Sequence, residues 1–533
     1  MGRFKITKTG WIALIVLIAI VVAGIGTVGV KTGFIKNDFA DKKTENKVEV
    51  SDNNTGTQTN TSVNKPTNKV EKDDTLDISL DEWIGWKSIT DANGHLTTQA
   101  KTIFDTLGIK VNIHIMNDAT QSSNALIRGD LDAAGYTINR TAFLSSKFKD
   151  AGVDVVMPFI TNYSNGGDGI IAKSSIKSVN DLVGAKIGVP KFSEAQTLVV
   201  WFVNNSNLSQ EQKDNIINNI ITFNTADEAA LAFFAGEIDV AATWEPYLTQ
   251  AENMADGHIL FSTASSTNLV MDGILFRKDF VDTNPEVVEK FISGCLMAAD
   301  MYSKEFDAIK AVMPMYETMT DEQIIENCSA AKLTTWKDNV SLLNGTAKII
   351  YTDMCEVWQS IGEKVDESIV DTLFDDTYVQ NIAFNFDTTE TSYDTNKVQV
   401  TEENKQTIAN TQALLGGTAS VTFEKNTAKF SDSAAASAEL NKFIEIAKVL
   451  DGAIIEIAGN TDPNPNSDPL DEYNKKLSLQ RAEAVKNYFI MNGISSDRIV
   501  VIGNGSSNPI VENDTEEHRA MNRRTDVSFK IIE

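Results

Sequence analysis

An acidic and a basic side chain flank one polar loop near the C-terminus of this 533-residue chain. Asp462 stands at the start of the loop, and Arg481 lies beyond its far end. Arginine can hold a carboxylate through two parallel hydrogen bonds, while aspartate accepts hydrogen bonds from an ammonium group. The two residues therefore suit a ligand that carries an ammonium and a carboxylate together. Alternatively, they pair with each other and simply close a surface loop.

A strand and a helix must position this loop. Residues 453–459, AIIEIAG, are mostly apolar and β-branched and end in glycine, which predicts a buried strand. The stretch LSLQRAEAVKNYFIMNG carries apolar residues at helical spacing and stops at Gly493. A strand-loop-helix unit of this kind presents the loop at one edge of a sheet.

Three separated motifs in this region closely resemble the OmpA-like peptidoglycan-binding domain. They are Gly459-Asn460-Thr461-Asp462, then Asn474-Lys475-Lys476-Leu477-Ser478-Leu479-Gln480-Arg481-Ala482, and finally Arg519-Ala520-Met521-Asn522-Arg523-Arg524. The resemblance implies a small α+β domain from residue 419 onward, in which Asp462, Asn474 and Arg481 bind peptidoglycan through its diaminopimelate side chain. We expect the last two arginines of the third motif to be structural.

Two departures from that family pattern bear on binding. Asn460 stands where the family usually has histidine, which should have a mild effect. The loop from Asp462 to Asn474 is a few residues longer than usual, which could displace Asp462 and weaken binding.

Composition excludes several classes of function. The chain has 74 acidic and 47 basic residues and a formal charge of −27, so attraction of nucleic acid or anionic lipid by charge is not expected. Its three cysteines and four histidines show no metal-ligand spacing. We therefore expect no metal, no cofactor and no enzymatic activity.

The first 74 residues look like an anchor and a tether. Trp11–Val30 is twenty residues without a charge, enough to cross a hydrocarbon core of about 30 Å, and basic residues precede it. A cleaved signal peptide is the alternative. Residues 31–74 are polar and predicted to be a disordered linker. Either way, the bulk of the chain is expected outside the cytoplasm, with an uncleaved single-pass anchor favoured.

Residues 75–386 alternate short apolar runs with amphipathic runs, which predicts α/β architecture with largely parallel sheets. An internal repeat divides this region in two. ALIRGDLDAAGYT (residues 125–137) and AFFAGEIDVAATW (residues 232–244) each place a helix end, a glycine and two acidic residues before an alanine-rich strand. The repeat predicts two similar lobes that deliver strand ends to a common cleft.

This middle region resembles the periplasmic substrate-binding proteins of ABC transporters, in particular the nitrate/sulfonate/taurine (NMT1-like) group. The motifs that carry the resemblance are EWIGWKS after the first strand, the two repeat strands with Trp244-Glu245-Pro246, LVGAKIGVP, and MDGILFRKDFVDTNPEVVEKFISG. It implies a two-lobed, type II periplasmic-binding-protein fold that closes on a small polar solute and serves an ABC permease.

The candidate cleft residues follow predicted strands or open predicted helices. They are Trp83, Trp86, Tyr136, Thr137, Ser193, Gln196, Thr197, Trp244, Glu245 and Asp272. Several have structural alternatives. Ser193 and Glu245 could each cap a helix, and one of the two early tryptophans could pack between strand and helix.

The sequence leaves the solute open. A helix that begins after Ser193 would suit a sulfonate, carboxylate or nitrate. Tryptophan and acidic groups together suit an amine or zwitterion at least as well. Rival functions are an enzyme of the pyrimidine-forming kind, a flagellar stator, and a structural tether between membrane and wall. We expect a membrane-anchored receptor with segments 1–30, 31–74, 75–386, 387–418 and 419–533.

Overall fold

The structure is a computed structural model that describes residues 74–266, 269–383, 386, 398–419, 421–424, 426–463 and 472–532. The apolar segment Trp11–Val30 and almost all of the polar linker after it lie outside the described residues. Within the described ranges, no helix is both long and apolar enough to cross a membrane.

The strands of the described residues form three sheets. In chain order they are β1 (Thr75–Leu80), β2 (Lys110–Ile115), β3 (Ala133–Thr137), β4 (Val155–Ser164), β5 (Asp168–Ala172), β6 (Ile187–Pro190), β7 (Ile221–Phe223), β8 (Val240–Trp244), β9 (His258–Ser262), β10 (Met271–Arg277), β11 (Ala331–Leu333), β12 (Leu415–Ala419), β13 (Ile454–Asn460), β14 (Ile499–Gly505) and β15 (Thr525–Lys530).

Two of these sheets share one topology. The first lobe has strand order β2-β1-β3-β10-β4-β11, and the second lobe has β7-β6-β8-β5-β9. In the first lobe, β1 runs parallel to its neighbours β2 and β3, and β10 pairs antiparallel with β3. In the second lobe, β6 runs parallel to its neighbours β7 and β8, and β5 pairs antiparallel with β8. The internal sequence repeat falls on equivalent elements, namely a helix followed by β3 and a helix followed by β8.

The chain crosses between the lobes twice. It passes from the first to the second between β4 and β5, and it returns between β9 and β10. The hydroxyl oxygens of Ser164 and Thr263, one from each crossover, lie 2.8 Å apart, and Thr263 also accepts a hydrogen bond from the amide of Gly166. The two crossovers therefore form one hydrogen-bonded hinge.

The α-helices cover the faces of the sheets. They are Lys87–Asn93, Ile103–Leu107, Ala119–Arg128, Ile138–Ala151, Glu194–Asn204, Gln210–Asn218, Ala226–Phe234, Tyr247–Glu252, Lys278–Thr283, Pro285–Met297, Asp307–Val312, Asp321–Ser329, Trp336–Ser341, Ala347–Ser360, Val370–Leu373, Thr377–Asn381, Lys405–Asn410, Ser433–Val449, Glu472–Met491 and Glu516–Asn522. The helix Glu194–Asn204 is buried on all sides up to Val203, as its unbroken apolar run predicts.

The third sheet, with strand order β12-β15-β13-β14, forms a separate C-terminal α+β unit. Its first strand, β12, ends at residue 419, so the sheet begins before the position expected from the sequence. The structure confirms mixed α/β architecture followed by a C-terminal sheet domain.

The helix Glu472–Met491 lies unusually close to β13. A Cβ atom at Gly459 would stand 2.1 Å from the carbonyl oxygen of Ser478. The hydroxyl of Ser478 in turn accepts a hydrogen bond from the amide of Gly505 at 2.9 Å. Glycine at 459 is therefore what lets the helix, and Arg481 on it, approach the sheet.

Gly459→Ala should lower the free energy of unfolding of the C-terminal domain by about 1–3 kcal/mol or more, because backbone must move to admit the methyl group. Thermal unfolding followed by circular dichroism measures the effect. Gly417→Ala is the matched control, since its Cβ would meet the Phe443 ring at an ordinary 3.4 Å. Equal melting temperatures for the two variants would contradict the close-approach argument.

The C-terminal domain contacts the second lobe at the hinge. The amide of Gly452 donates to the carbonyl of Ser265 at 3.1 Å, and the hydroxyl of Ser266 donates to the carbonyl of Val449 at 2.6 Å. Both serines belong to the crossover between β9 and β10. The end of the helix Ser433–Val449 thus rests on the segment that links the lobes.

Candidate functional site

The carboxyl ends of β1 and β3 meet at the face that the first lobe turns toward the second. Asp81 directly follows β1, and Thr137 ends β3. Asp272, on β10, is the register partner of Thr137. Three polar side chains from three strands are therefore neighbours at this edge, where ligands of open α/β sheets bind.

The two tryptophans after β1 have different environments. Trp86 is 1% exposed, donates from Nε1 to Asp81 Oδ1 at 2.6 Å, and packs against Gly135. Trp83 is partly buried and donates from Nε1 to Asp272 Oδ2 at 2.9 Å. Its ring also reaches the first crossover, where a Cβ at Gly167 would lie 2.9 Å from it. Trp83 is thus the tryptophan of the pair that faces the cleft.

Tyr136 is buried beside these groups. Its hydroxyl lies 2.6 Å from the hydroxyl of Ser122, and burial raises the pKa of Tyr136 to about 12. A small pocket lined by Asp81, Tyr136 and Arg140, among others, opens next to it.

The lobes contact each other through side chains at the mouth of this cleft. Thr137 Oγ1 donates to Glu194 Oε1 at 2.7 Å, and Arg140 makes a two-pronged ion pair with the same carboxylate, both hydrogen bonds measuring 3.1 Å. Nearby, Asn139 Nδ2 donates to Thr197 Oγ1 at 2.8 Å. Because Glu194 and Thr197 belong to the second lobe, these contacts hold the lobes together.

Two of the predicted helix-start residues have capping contacts. Ser193 Oγ accepts from the amide of Gln196, and Gln196 Oε1 accepts from the amide of Phe192 at 2.7 Å. Thr197 Oγ1 donates within the helix to the carbonyl of Glu194. The carboxylate of Glu194, the first helical residue, already provides negative charge at this helix N-terminus.

Trp244 and Glu245, at the end of β8, also differ from each other. Glu245 accepts hydrogen bonds from the amide and the hydroxyl of Thr249, at 3.1 and 2.9 Å, and so caps the following helix. Trp244 is partly buried and is the register partner of Asp168, the first residue of β5.

The cleft concentrates carboxyl groups. We call Asp81, Asp168, Glu194 and Asp272, together with the guanidinium of Arg140, the acidic cluster. Burial raises the pKa of Asp168 to about 7. Burial, and then the charges of Asp81, Asp168 and Glu194, raise the pKa of Asp272 well above its usual range.

Arg140 acts on part of this cluster. Burial alone would raise the pKa of Glu194, but the charge and hydrogen bonds of Arg140 outweigh it and lower that pKa. The pKa of Asp81 is raised by burial despite the hydrogen bond from Trp86. Glu194 is therefore the ionised partner of Arg140, whereas the aspartates resist ionisation.

Sequence reasoning missed four members of the acidic cluster: Asp81, Arg140, Asp168 and Glu194. Asp81 could have been found because it directly follows a predicted strand. Arg140 was overlooked because it lies one helical turn after its strand rather than at the strand end. Asp168 and Glu194 carry no sequence signal that distinguishes them from ordinary surface carboxylates.

In the C-terminal domain, Asp462 pairs with an arginine other than the predicted one. Arg523 Nη1 donates to Asp462 Oδ2 at 3.1 Å, and its Nη2 donates to Glu516. Arg523, expected to be structural, therefore stands at the site. Asn474 Nδ2 donates weakly to the main-chain oxygen of Asp462 at 3.4 Å.

Arg481 lies near the Asp462–Arg523 ion pair but does not itself form an ion pair with Asp462. Its guanidinium lies 5.0 Å from the ring centre of Phe423, and its Nε donates to the carbonyl of Thr427 at 3.2 Å. Burial and the charge of Arg523 lower the pKa of Arg481, and Asp462 only partly opposes them. Two guanidinium groups and one carboxylate thus converge, an arrangement that suits a ligand carboxylate with an adjacent ammonium.

Asn460, at the usual histidine position, ties strands together. Its Nδ2 donates to Asp526 at 2.9 Å, and its Oδ1 accepts from Asn504 at 3.0 Å. It is 1% exposed, so it supports the sheet edge from which Asp462 projects. Most of the longer loop after Asp462 lies outside the described residues.

Two family models match the chain. Residues 89–305 match the model described as NMT1/THI5 like, and residues 422–523 match the OmpA family model. Among curated proteins, outer membrane protein A of Bordetella avium is 40% identical over 90 residues, which are 17% of this chain and 44% of that protein. Peptidoglycan-binding protein ArfA of Mycobacterium tuberculosis is 40% identical over 88 residues, 16% of this chain and 26% of that protein. The chain spans less than half the length of these relatives.

Solved structures similar to the chain cover its larger part. The periplasmic aliphatic sulphonate binding protein SsuA of Escherichia coli has 15% identity and a TM-score of 0.44, over 57% of this chain and 98% of that one. The periplasmic nitrate-binding protein NrtA of Synechocystis PCC 6803 has 13% identity and a TM-score of 0.44, over 59% and 89%.

Proposed function

Because the chain joins an NMT1/THI5-like domain to an OmpA family domain, we propose that it is a solute receptor held to the cell wall. The two lobes capture a small polar solute and deliver it to an ABC permease. The C-terminal domain binds peptidoglycan, and Trp11–Val30 anchors the chain in the membrane, with the bulk of the protein outside the cytoplasm. In this proposal the protein is a binding protein and not an enzyme.

One observation carries the receptor function. Two lobes that share the arrangement of five strands, with β11 added in the first, are linked by two hydrogen-bonded crossovers, and polar side chains from both lobes meet between them. This arrangement supports the proposed type II periplasmic-binding-protein fold, in which the lobes open and close about a hinge. Trp83, Thr137, Trp244 and Asp272 are the predicted ligand-binding residues that this geometry favours.

The wall-binding function is supported by Arg481, Arg523 and Asp462. One relative is a peptidoglycan-binding protein, ArfA of Mycobacterium tuberculosis, and residues 422–523 of this chain match the OmpA family model. Asp462 would accept from the ammonium of the wall peptide, and the arginines would hold its carboxylate.

A cognate solute should raise the melting temperature of the full chain and change its tryptophan fluorescence, because binding to the native state alone stabilises it by about 2.7 kcal/mol at a hundred times Kd. The fluorescence change should be lost in Trp83→Phe and retained in Trp336→Phe, whose indole donates to the carbonyl of Val379 away from the cleft. A chain that binds wall but responds to no sulfonate, nitrate, amine or pyrimidine would instead be a structural tether.

A further inference from the structure

The charge of the cleft restricts the solute that the proposed receptor can accept. The acidic cluster has four carboxyl groups and one guanidinium, so full ionisation would leave it with three negative charges. The guanidinium belongs to Arg140, and its Nε and Nη2 both donate hydrogen bonds to the carboxylate of Glu194. Arg140 is thus already neutralised and offers a solute anion little.

Unsatisfied acceptors remain in the cluster. Asp272 is 3% exposed and receives one side-chain hydrogen bond, from Trp83 to Oδ2; no donor in the described residues contacts its Oδ1. Asp168 is 7% exposed. Among the described residues, the hydroxyl of Ser164 is the one group that lowers the pKa of Asp168, through a hydrogen bond. Buried carboxylates are normally paired, because an isolated buried charge is costly. These two therefore lack a positive partner.

Aromatic rings flank the same carboxyl groups. Trp83 contacts Asp272 directly and reaches Gly167, the residue before Asp168. Trp244 is the register partner of Asp168 on the neighbouring strand. Indole rings attract cations placed over their faces.

A metal ion does not fit this arrangement. Among the described residues, no group of three or more histidine, cysteine, aspartate or glutamate side chains is placed to hold one. The indole rings beside the carboxyl groups suit a larger cation with apolar surface.

We infer that the solute is an organic cation, a protonated amine or a quaternary ammonium compound, held between the indoles and the acidic cluster. This inference rests on the proposed receptor function and names its substrate class. The ammonium group lies against Asp168 and Asp272, and the hydrocarbon part lies against Trp83 and Trp244. A sulfonate or nitrate would find no free positive partner in this cluster, because its one guanidinium is bound by Glu194.

Thermal shift and titration calorimetry on the full chain, purified in mild detergent, test the inference. The cationic probes are choline, tetramethylammonium, putrescine and agmatine. The anionic probes are methanesulfonate and nitrate, and 3,3-dimethyl-1-butanol is the uncharged isostere of choline. At least one cation should stabilise the chain and bind at least tenfold more tightly than the anions. If that cation is choline, the uncharged isostere should bind at least tenfold more weakly.

Two substitutions locate the effect. Asp168→Asn and Asp272→Asn should each weaken binding of the stabilising cation at least tenfold. Asp353→Asn should leave binding unchanged; it replaces a partly buried carboxyl group whose pKa desolvation also raises to about 7 but which lies on the helix Ala347–Ser360. Melting temperatures of the variants without probe verify that each one folds.

The outcomes separate the inference from the proposed function. Stabilisation by methanesulfonate or nitrate with no response to any cation would overturn the cation assignment and leave the receptor function intact. Equal binding of choline and its uncharged isostere, or unchanged cation binding in both cleft variants, would also overturn it. If no probe bound or stabilised the chain, the result would contradict both the cation assignment and the proposed receptor function.

Discussion

Arg140→Met should lower the melting temperature of the chain by about 5–15 °C at pH 7. The substitution leaves Glu194 buried beside three other carboxyl groups without its guanidinium, and removing one partner of a buried ion pair costs about 3–5 kcal/mol. Differential scanning fluorimetry measures the change. The same loss should open the lobes, because Glu194 links them through Arg140 and Thr137.

The double variant Arg140→Met/Glu194→Gln is the matched control. Removing both charges eliminates the unpaired carboxylate, so much of the lost stability should return. Lowering the pH to 5 should also restore part of the stability of the single variant, since without Arg140 burial raises the pKa of Glu194 and the group takes up a proton. A single variant as stable as the double one would show that the ion pair contributes little.

Asp462→Asn should weaken sedimentation of the chain with purified cell wall by about tenfold to a hundredfold. The loss corresponds to about 1.5–3 kcal/mol for a hydrogen bond to a charged group. It also leaves Arg523 without one of its two carboxylate partners. Arg481→Met should have a similar effect, because its guanidinium would no longer hold the ligand carboxylate.

Asp497→Asn provides the control for wall binding. Asp497 lies in the same domain, is exposed, and uses its side chain only for a local contact with Ser496 among the described residues. Its variant should sediment like the unaltered chain. Equal sedimentation of the Asp462 and Asp497 variants would refute the assignment of Asp462 to the wall-binding site.

The sequence was most informative where periodicity and motifs act locally. The repeat at residues 125–137 and 232–244 predicted two similar lobes, since elements of similar sequence bury similar apolar faces. The motifs predicted that Asp462 and Arg481 flank one loop as candidate wall-binding residues, and in the structure Arg523 rather than Arg481 pairs with Asp462. The motif contained Arg523, but only the return of β15 alongside β13 brings it to the loop.

The acidic cluster was harder to foresee because its members are far apart in the chain. Asp81, Glu194 and Asp272 meet only once both crossovers are made, so no local pattern marks them. Glu194 is an extreme case, since it looks like an ordinary first-turn carboxylate of a capped helix. Its role depends on Arg140, which comes from the other lobe.

The contact between Gly452, Val449 and the serines of the second crossover has a mechanical consequence. With the C-terminal domain bound to the wall as proposed, a tensile load on it would reach the second crossover through Ser265 and Ser266. These residues lie in the segment that links the two lobes. In the proposed receptor, stretching of the envelope would therefore act on the link between the lobes, and also on the second lobe through the hydrogen bond from the amide of Val179 to the carbonyl of Leu414.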